Sequence, residues 1–111
     1  MTTKNRTVAK ELTTSNANIY SVPPNYEAEI QSIVISNITA SSKTFTLEWY
    51  NNDTTSYYAL AKDVEVHGNS MLQVTVPLWL VKNELIRGSA SANSSVVVTV
   101  YARELYSPKQ F

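Results

Sequence analysis

Few side chains in this sequence have the type and spacing that catalysis or metal binding requires. The single histidine, His67, stands in the run His67–Ser70, whose glycine, asparagine and serine favour a turn. Nucleophilic catalysis needs a nucleophile beside a base, and one histidine cannot build a histidine-rich metal site. The absence of cysteine excludes disulfides, cysteine nucleophiles and thiolate metal sites. We therefore expect no catalytic residue, no metal site, no cofactor and no enzymatic activity.

Two pairs of carboxylates are each spaced by two residues, Glu27 with Glu29 and Asp63 with Glu65. Residues at this spacing share one face of a strand, as a glycosidase or a calcium site would require. The solvated face of an ordinary strand also carries such pairs. We interpret both pairs as surface residues.

Seven tyrosines supply aromatic surface, and three of them, Tyr50, Tyr57 and Tyr58, flank one short polar run. Such rings contact protein partners or stack on sugars, and they also cap the ends of a hydrophobic core. We name these three as candidate partner-binding residues.

The composition favours a β-protein that binds neither nucleic acid nor membrane. The 111 residues include twelve valines, six isoleucines and twelve threonines, and β-branched side chains prefer strands. Hydrophobic residues make up 43% and charged residues 16%, with a net charge of zero. A neutral chain has no field to attract phosphate backbones or anionic lipids, and no run approaches the roughly 18 apolar residues of a membrane span.

The distribution of apolar and polar residues divides the chain into three segments. Residues 1–18 hold few large apolar side chains, so burial offsets little of the entropy of ordering them, and we expect a flexible N-terminal arm. Residues 19–106 form one β-sandwich domain, and residues 107–111 form a loose tail. The charged and apolar residues of the arm are candidate partner contacts: Lys4, Arg6, Val8, Lys10 and Leu12.

Short β-rich runs alternate with polar turns after residue 18, which predicts about eight strands in an antiparallel, jelly-roll-like two-sheet β-sandwich. Pro23 ends the first run, so that run is an edge strand or a strand end. A one-residue bulge near Ser32 would place Ile30, Ile33 and Ile35 on one face. The predicted core is Ile30, Ile33, Ile35, Phe45, Leu47, Trp49, Leu60, Val64, Val66, Leu72, Val74, Val76, Leu80, Leu85, Val96, Val98 and Val100.

The order of these runs resembles the small β-sandwich virion proteins of tailed bacteriophages. The similarity spans roughly residues 19–105. The segments that carry the resemblance are Tyr20–Pro23, Ser36–Asn37, Lys43–Leu47, Leu60–Val64, His67–Asn69, Leu80–Ile86, Ser89–Ala92 and Val96–Glu104.

The resemblance implies a non-enzymatic structural protein of the virion, assembled in the host cytoplasm. Together with the arm, it favours a capsid decoration or cement subunit that binds the major capsid protein or other virion proteins and self-associates. A tail or tail-fibre accessory protein is the alternative in the same class. A carbohydrate-binding module that uses the three tyrosines is the alternative in another class.

Overall fold

The computed structural model describes residues 3–75 and 78–107, which form nine β-strands and no helix. No helix that could cross a membrane is therefore found in these two ranges. The strands are β1 (Thr3–Glu11), β2 (Ala17–Ser21), β3 (Tyr26–Asn37), β4 (Lys43–Asn51), β5 (Ser56–Val66), β6 (Met71–Val74), β7 (Leu78–Leu80), β8 (Leu85–Ala90) and β9 (Val96–Tyr106).

The strands form two antiparallel sheets that pack face to face. Sheet A has the order β1-β9-β3-β6, and sheet B has the order β2-β8-β4-β5. The short β7 pairs with the first part of β3, and β6 pairs with its last part. Without the short β7, these eight strands have the order of a jelly roll. The all-β sandwich prediction is confirmed, and β2 is an edge strand, as Pro23 indicates.

The core is one apolar layer between the sheets. Ten predicted core residues are buried, and four more, Trp49, Leu60, Val64 and Val74, are half-buried against them. The bulge near Ser32 is confirmed, because the pairing of β3 with β9 shifts between Ile30 and Ser32. The ten buried residues are Ile30, Ile33, Ile35, Phe45, Leu47, Val66, Leu80, Val96, Val98 and Val100.

Two predicted core positions are wrong, and Val76 lies outside the described residues. Leu72 is 37% exposed because it lies on the four-residue edge strand β6. Leu85 is paired with Tyr50 on the outer face of sheet B, whereas the next residue, Ile86, is fully buried. The buried apolar residues that the sequence prediction missed are Leu12, Ile19, Tyr20, Ala28, Ile86, Ala90 and Ala102.

The N-terminal segment differs from the expected arm, because residues 3–11 form an edge strand of sheet A. Strand β1 pairs with β9 over nine consecutive residues, and Leu12 after it is fully buried. The apolar content of the segment did not reveal this, because backbone pairing needs no apolar side chain. At the other terminus, the Ser107 N–H donates to the Asn25 carbonyl, and residues 108–111 of the predicted tail lie outside the described ranges.

Buried polar side chains fix the loops at both ends of the sandwich. The Asn37 amide donates to the carbonyls of Ser41 and Val66, 2.8 and 3.0 Å away. At the opposite end, the Glu84 carboxylate accepts hydrogen bonds from the Val81 and Asn52 N–H groups, each at 3.0 Å. Each of these side chains ties together loops that are distant in sequence, so the strand ends have fixed positions.

We expect Gly88→Ala to destabilise the fold. Gly88 faces the core of sheet B, where an added Cβ would lie 2.7 Å from the Thr46 carbonyl oxygen and 2.8 Å from Leu47 Cδ2. Overpacking of this kind costs about 1–3 kcal/mol. Urea unfolding measures the loss. Ser89→Ala, on the outer face of the same strand, is the control and should cost under about 1 kcal/mol. Equal costs would show that Gly88 is not constrained.

Candidate functional site

The predicted contact residues of the N-terminal segment share the inward side of β1. Lys4, Arg6, Val8 and Lys10 alternate along the strand, and Leu12 follows at the same spacing. Opposed residues of an antiparallel pair project to the same side of a sheet, so these side chains point towards sheet B. Lys4 and Arg6 form ion pairs within the sandwich, and Val8 and Leu12 pack in or against its core. The role of the five residues as partner contacts stays a prediction. Their buried partners on β9 are, in order, Glu104, Ala102, Val100 and Val98.

A buried carboxylate joins three strands at this edge. The Glu104 side chain on β9 is fully buried and accepts a hydrogen bond at Oε2 from the Tyr20 hydroxyl on β2. The Lys4 ammonium lies 3.6 Å from Oε1, and the Arg6 guanidinium lies 3.7 Å from Oε2. A buried charge is costly unless it is paired, and both cations come from β1. Strand β1 therefore neutralises the interior of its own sandwich.

The environment of Tyr20 keeps its hydroxyl protonated. Burial raises the pKa of Tyr20 well above its ordinary value, and the hydrogen bond and negative charge of Glu104 raise it further. The nearby Arg6 acts in the opposite direction, with a smaller effect. Tyr20 is thus held as a hydrogen-bond donor to the buried carboxylate.

Exposed aromatic rings collect at one end of the sandwich, which we call the aromatic end. Tyr57 and Tyr58 begin β5, Tyr106 ends β9, and Trp79 lies on β7, which pairs with the first part of β3. Each of these four rings is between 39% and 44% exposed. Large exposed aromatic side chains are typical of protein interfaces, so the aromatic end is a candidate contact surface.

On sheet A, the aromatic end is tied to charged groups. The Tyr26 and Tyr106 rings meet edge to face at a centroid distance of 5.5 Å, and Lys4 Nζ lies 4.8 Å from the Tyr26 centroid. The Trp79 indole N–H donates to Glu27 Oε1 at 2.7 Å. These contacts fix the rings in place and connect them to β1 through Lys4.

On sheet B, the candidate tyrosines lie on opposite faces. Tyr50 and Tyr57 pair on the outer face, with their rings 5.1 Å apart and inclined by 53°. The Arg87 guanidinium lies 3.4 Å from the Tyr57 centroid and forms a 2.8 Å ion pair with Glu48. One face of the Tyr57 ring is therefore already covered by a cation.

Tyr58 lies on the inward side of the same hairpin. Its ring is 5.8 Å from that of Trp49 at an angle of 37°, and its hydroxyl donates to Thr54 Oγ1 at 3.1 Å. The structure thus separates Tyr58 from Tyr50 and Tyr57, and the three rings do not form one flat platform.

His67 is an exposed turn residue with two weak neighbours. Ser42 Oγ lies 3.4 Å from Nδ1, and Glu65 Oε1 lies 3.9 Å from the same nitrogen. A Ser-His-acid triad needs the nucleophile and the acid on different ring nitrogens. This arrangement does not form a triad.

The predicted carboxylate pairs bind separate partners. Glu27 accepts from Trp79, whereas Glu29 forms a 3.4 Å ion pair with Arg103. Asp63 interacts with Thr46, and Glu65 is near His67. Within residues 3–75 and 78–107, no three acidic or histidine side chains group as a metal site would require.

No known family model matches this chain, and no curated protein matches it in sequence. Solved structures do share its fold. A chain from the Bacillus endospore appendages, described as a family of disulfide-linked pili, has a TM-score of 0.59 at 14% identity, over 96% of this chain and 88% of that one.

Two viral structures are also similar. A chain from the acid-stable capsid structure of the Helicobacter pylori bacteriophage KHP30 has a TM-score of 0.56 at 8% identity, over 100% of this chain and 92% of that one. A chain from infectious bursal disease virus, Gx strain, has a TM-score of 0.56 at 6% identity over 98% of this chain. This chain spans only 34% of that viral chain. At such identities, the likeness shows a shared fold.

Sequence reasoning missed several residues of these sites. Glu104 follows Val96, Val98, Val100 and Ala102 at the same alternation, so the period of β9 could have placed its carboxylate in the core. The other missed residues interact through pairing between distant strands, which leaves no local pattern. They are Tyr20, Tyr26, Trp79, Arg87 and Tyr106.

We expect stability to fall at high pH because of Tyr20. Above about pH 10, the ordinary tyrosine pKa, the unfolded chain loses this proton while the folded protein keeps it. The free energy of unfolding therefore decreases as pH rises, by at most about 1.4 kcal/mol per pH unit for this one group. Urea unfolding between about pH 9 and 11 measures the slope.

The Tyr20→Phe variant removes this group and should show a shallower slope. Tyr58→Phe is the control, because the Tyr58 hydroxyl donates to the exposed Thr54 and not to a buried carboxylate. Equal slopes for the wild type and Tyr20→Phe would contradict the role assigned to Tyr20.

Proposed function

We propose that this chain is a non-enzymatic structural subunit of a bacteriophage virion, bound to the shell of the major capsid protein as a decoration or cement protein. The observation that carries the proposal is the jelly-roll fold, which matches a chain of a phage capsid structure over the full length of this chain and 92% of that one. Jelly rolls are common in capsid proteins.

The outer face of sheet A supports a role in packing against neighbours. The outward residues of β9 include Val97, Thr99 and Tyr101, all half-buried by adjacent side chains, and Thr99 is flanked by Ala9 and Val34. These side chains are short or rigid and uncharged, so little entropy or hydration is lost when they are covered. We call the patch formed by Ala9, Val34, Val97, Thr99 and Tyr101 the neutral face. Glu11 beside Val97 and Arg103 beyond Tyr101 border it.

The absence of a reactive arrangement at His67 supports the non-enzymatic part of the proposal, since Ser42 and Glu65 approach the same ring nitrogen. A tail or fibre subunit is the second candidate in this class, and the likeness to a pilus chain favours it. The disulfide linkage named for those pili is not available to this chain, because it has no cysteine.

The carbohydrate-binding alternative receives less support from the site. A sugar stacks on an open, flat aromatic face, and the Tyr57 ring already carries Arg87 on one face. Tyr58 lies on the other side of the sheet, inclined against Trp49.

We expect Thr99→Glu to weaken binding to capsid shells, because the new carboxylate would lose hydration at the centre of the neutral face. Co-sedimentation with shells that lack this chain measures the binding. Ser89→Glu, which places the same charge on the outer face of sheet B, is the control and should bind as the wild type does. Circular dichroism checks that both variants fold.

Mass spectrometry of purified virions provides the second measurement for this prediction. Copy numbers comparable to those of the shell protein support decoration, and much lower numbers support the tail alternative. Absence from virions, or failure of the wild type to sediment with shells, would contradict the proposal.

We expect the isolated protein to bind no glycan on an array, and Tyr57→Ala and Tyr58→Ala to keep shell binding. A small sugar site depends on a few stacked rings, whereas a protein interface spreads over roughly 20–30 residues on each side. A specific glycan signal that either substitution abolishes would favour the carbohydrate-binding module instead.

A further inference from the structure

Strand β1 is attached to its sandwich mainly through its backbone. It pairs on one side only, with β9, through nine consecutive residue pairs without a register shift. Among its side chains only Val8 is half-buried, and the other eight are exposed. Its attachment therefore depends on backbone hydrogen bonds and on the ion pairs of Lys4 and Arg6 with Glu104.

Strand β1 fills a groove along the edge of β9, lined by Val98, Val100 and Glu104, which we call the β9 groove. Emptying this groove would destabilise the protein. Without β1, the edge of β9 would expose its backbone groups, and Val98 and Val100 would lose cover. The Glu104 carboxylate would also lose both of its cations, which leaves the Tyr20 hydroxyl as its described partner. A stable form of the protein must have a β1 strand in this groove.

The strand in the groove can come from another copy of the chain. A second copy offers the same nine residues, the same two cations and the same Leu12, so all contacts within the groove are reproduced. Exchange of identical elements costs little for this reason. Among the described strands β1 comes first, and the connector between β1 and β2 is the segment that has to open.

The connector between β1 and β2, residues 12–16, has a suitable place to open. The Leu12 N–H donates to the Val96 carbonyl on β9, and the Ala90 N–H on β8 donates to the Thr13 carbonyl. An exchanged β1 strand that brings residues 12 and 13 with it can form the same bonds. The Thr14 N–H donates to Asn93 Oδ1 at 2.9 Å, and this bond can also form from an exchanged strand. Beyond it, Ser15 and Asn16 are exposed, and the Ser15 backbone bonds locally to the Thr13 hydroxyl.

We propose that β1 exchanges between copies of this chain, with the β1 strand and Leu12 of one copy seated in the β9 groove of the next. The proposal rests on the assembly role proposed above and names a second copy as the partner. In this arrangement the N-terminal segment links two copies of the chain, and it still forms a strand of a β-sandwich.

Single cysteines test the exchange, because the natural chain has none. Ala9 on β1 and Val34 on β3 both pair with Thr99 on β9, one on each side. Paired residues of adjacent strands lie within disulfide range. Ala9→Cys chains are co-refolded with Thr99→Cys chains and oxidised, and linked peptides are identified by mass spectrometry. The control mixture combines Val34→Cys with Thr99→Cys, because β3 is internal and cannot exchange alone.

A 9–99 link between chains, with no 34–99 link, supports the exchange. Absence of the 9–99 link in the mixture, while the double variant Ala9→Cys/Thr99→Cys forms it within one chain, overturns the exchange. Links in both mixtures also overturn it, since they would show general misassembly. Shell co-sedimentation of the wild type is scored separately, so the assembly role can stand when the exchange fails.

Discussion

The buried carboxylate of Glu104 constrains how three strands of this protein fit together. It lies on β9 between the sheets, where a negative charge must be compensated. Tyr20 on β2 donates to it, and Lys4 and Arg6 on β1 supply positive charge from the edge. Strand β1 has no buried side chain of its own, so the compensation of this charge explains why Lys4 and Arg6 stand in the N-terminal segment.

Local patterns predicted most of the sandwich. Alternation along β4 and β9, and the bulge beside Ser32, depend on neighbouring residues only, so one sequence is enough to find them. The content of apolar side chains does not reveal that residues 3–11 form a strand, because β1 is held by pairing with a strand about 90 residues away. Which of Leu85 and Ile86 faces the core depends on the pairing of β8 with β4, and the sequence of β8 alone does not determine it.

The candidate site was less accessible to sequence reasoning than the fold. Tyr50, Tyr57 and Tyr58 are conspicuous, but their faces and the Arg87 guanidinium on Tyr57 depend on register shifts between β4 and β5. Trp79 joins the aromatic end because β7 pairs with the first part of β3, outside the main strand order of sheet A. A residue type indicates what a surface could bind, and only the pairing of distant strands shows which residues share that surface.

The edges of the sandwich limit how copies can associate. Open edges invite pairing with other chains, and natural sheets prevent this with short strands, irregular pairing and inward-pointing charges. Strands β2 and β6 have only five and four residues, and β5 pairs with β4 through two register shifts. Strand β1 is long and regular, but it carries Lys4, Arg6 and Lys10 on its inward side. These features disfavour simple strand addition at the long edges of both sheets. The association proposed above would therefore use the sheet faces or the replacement of a strand that is already paired.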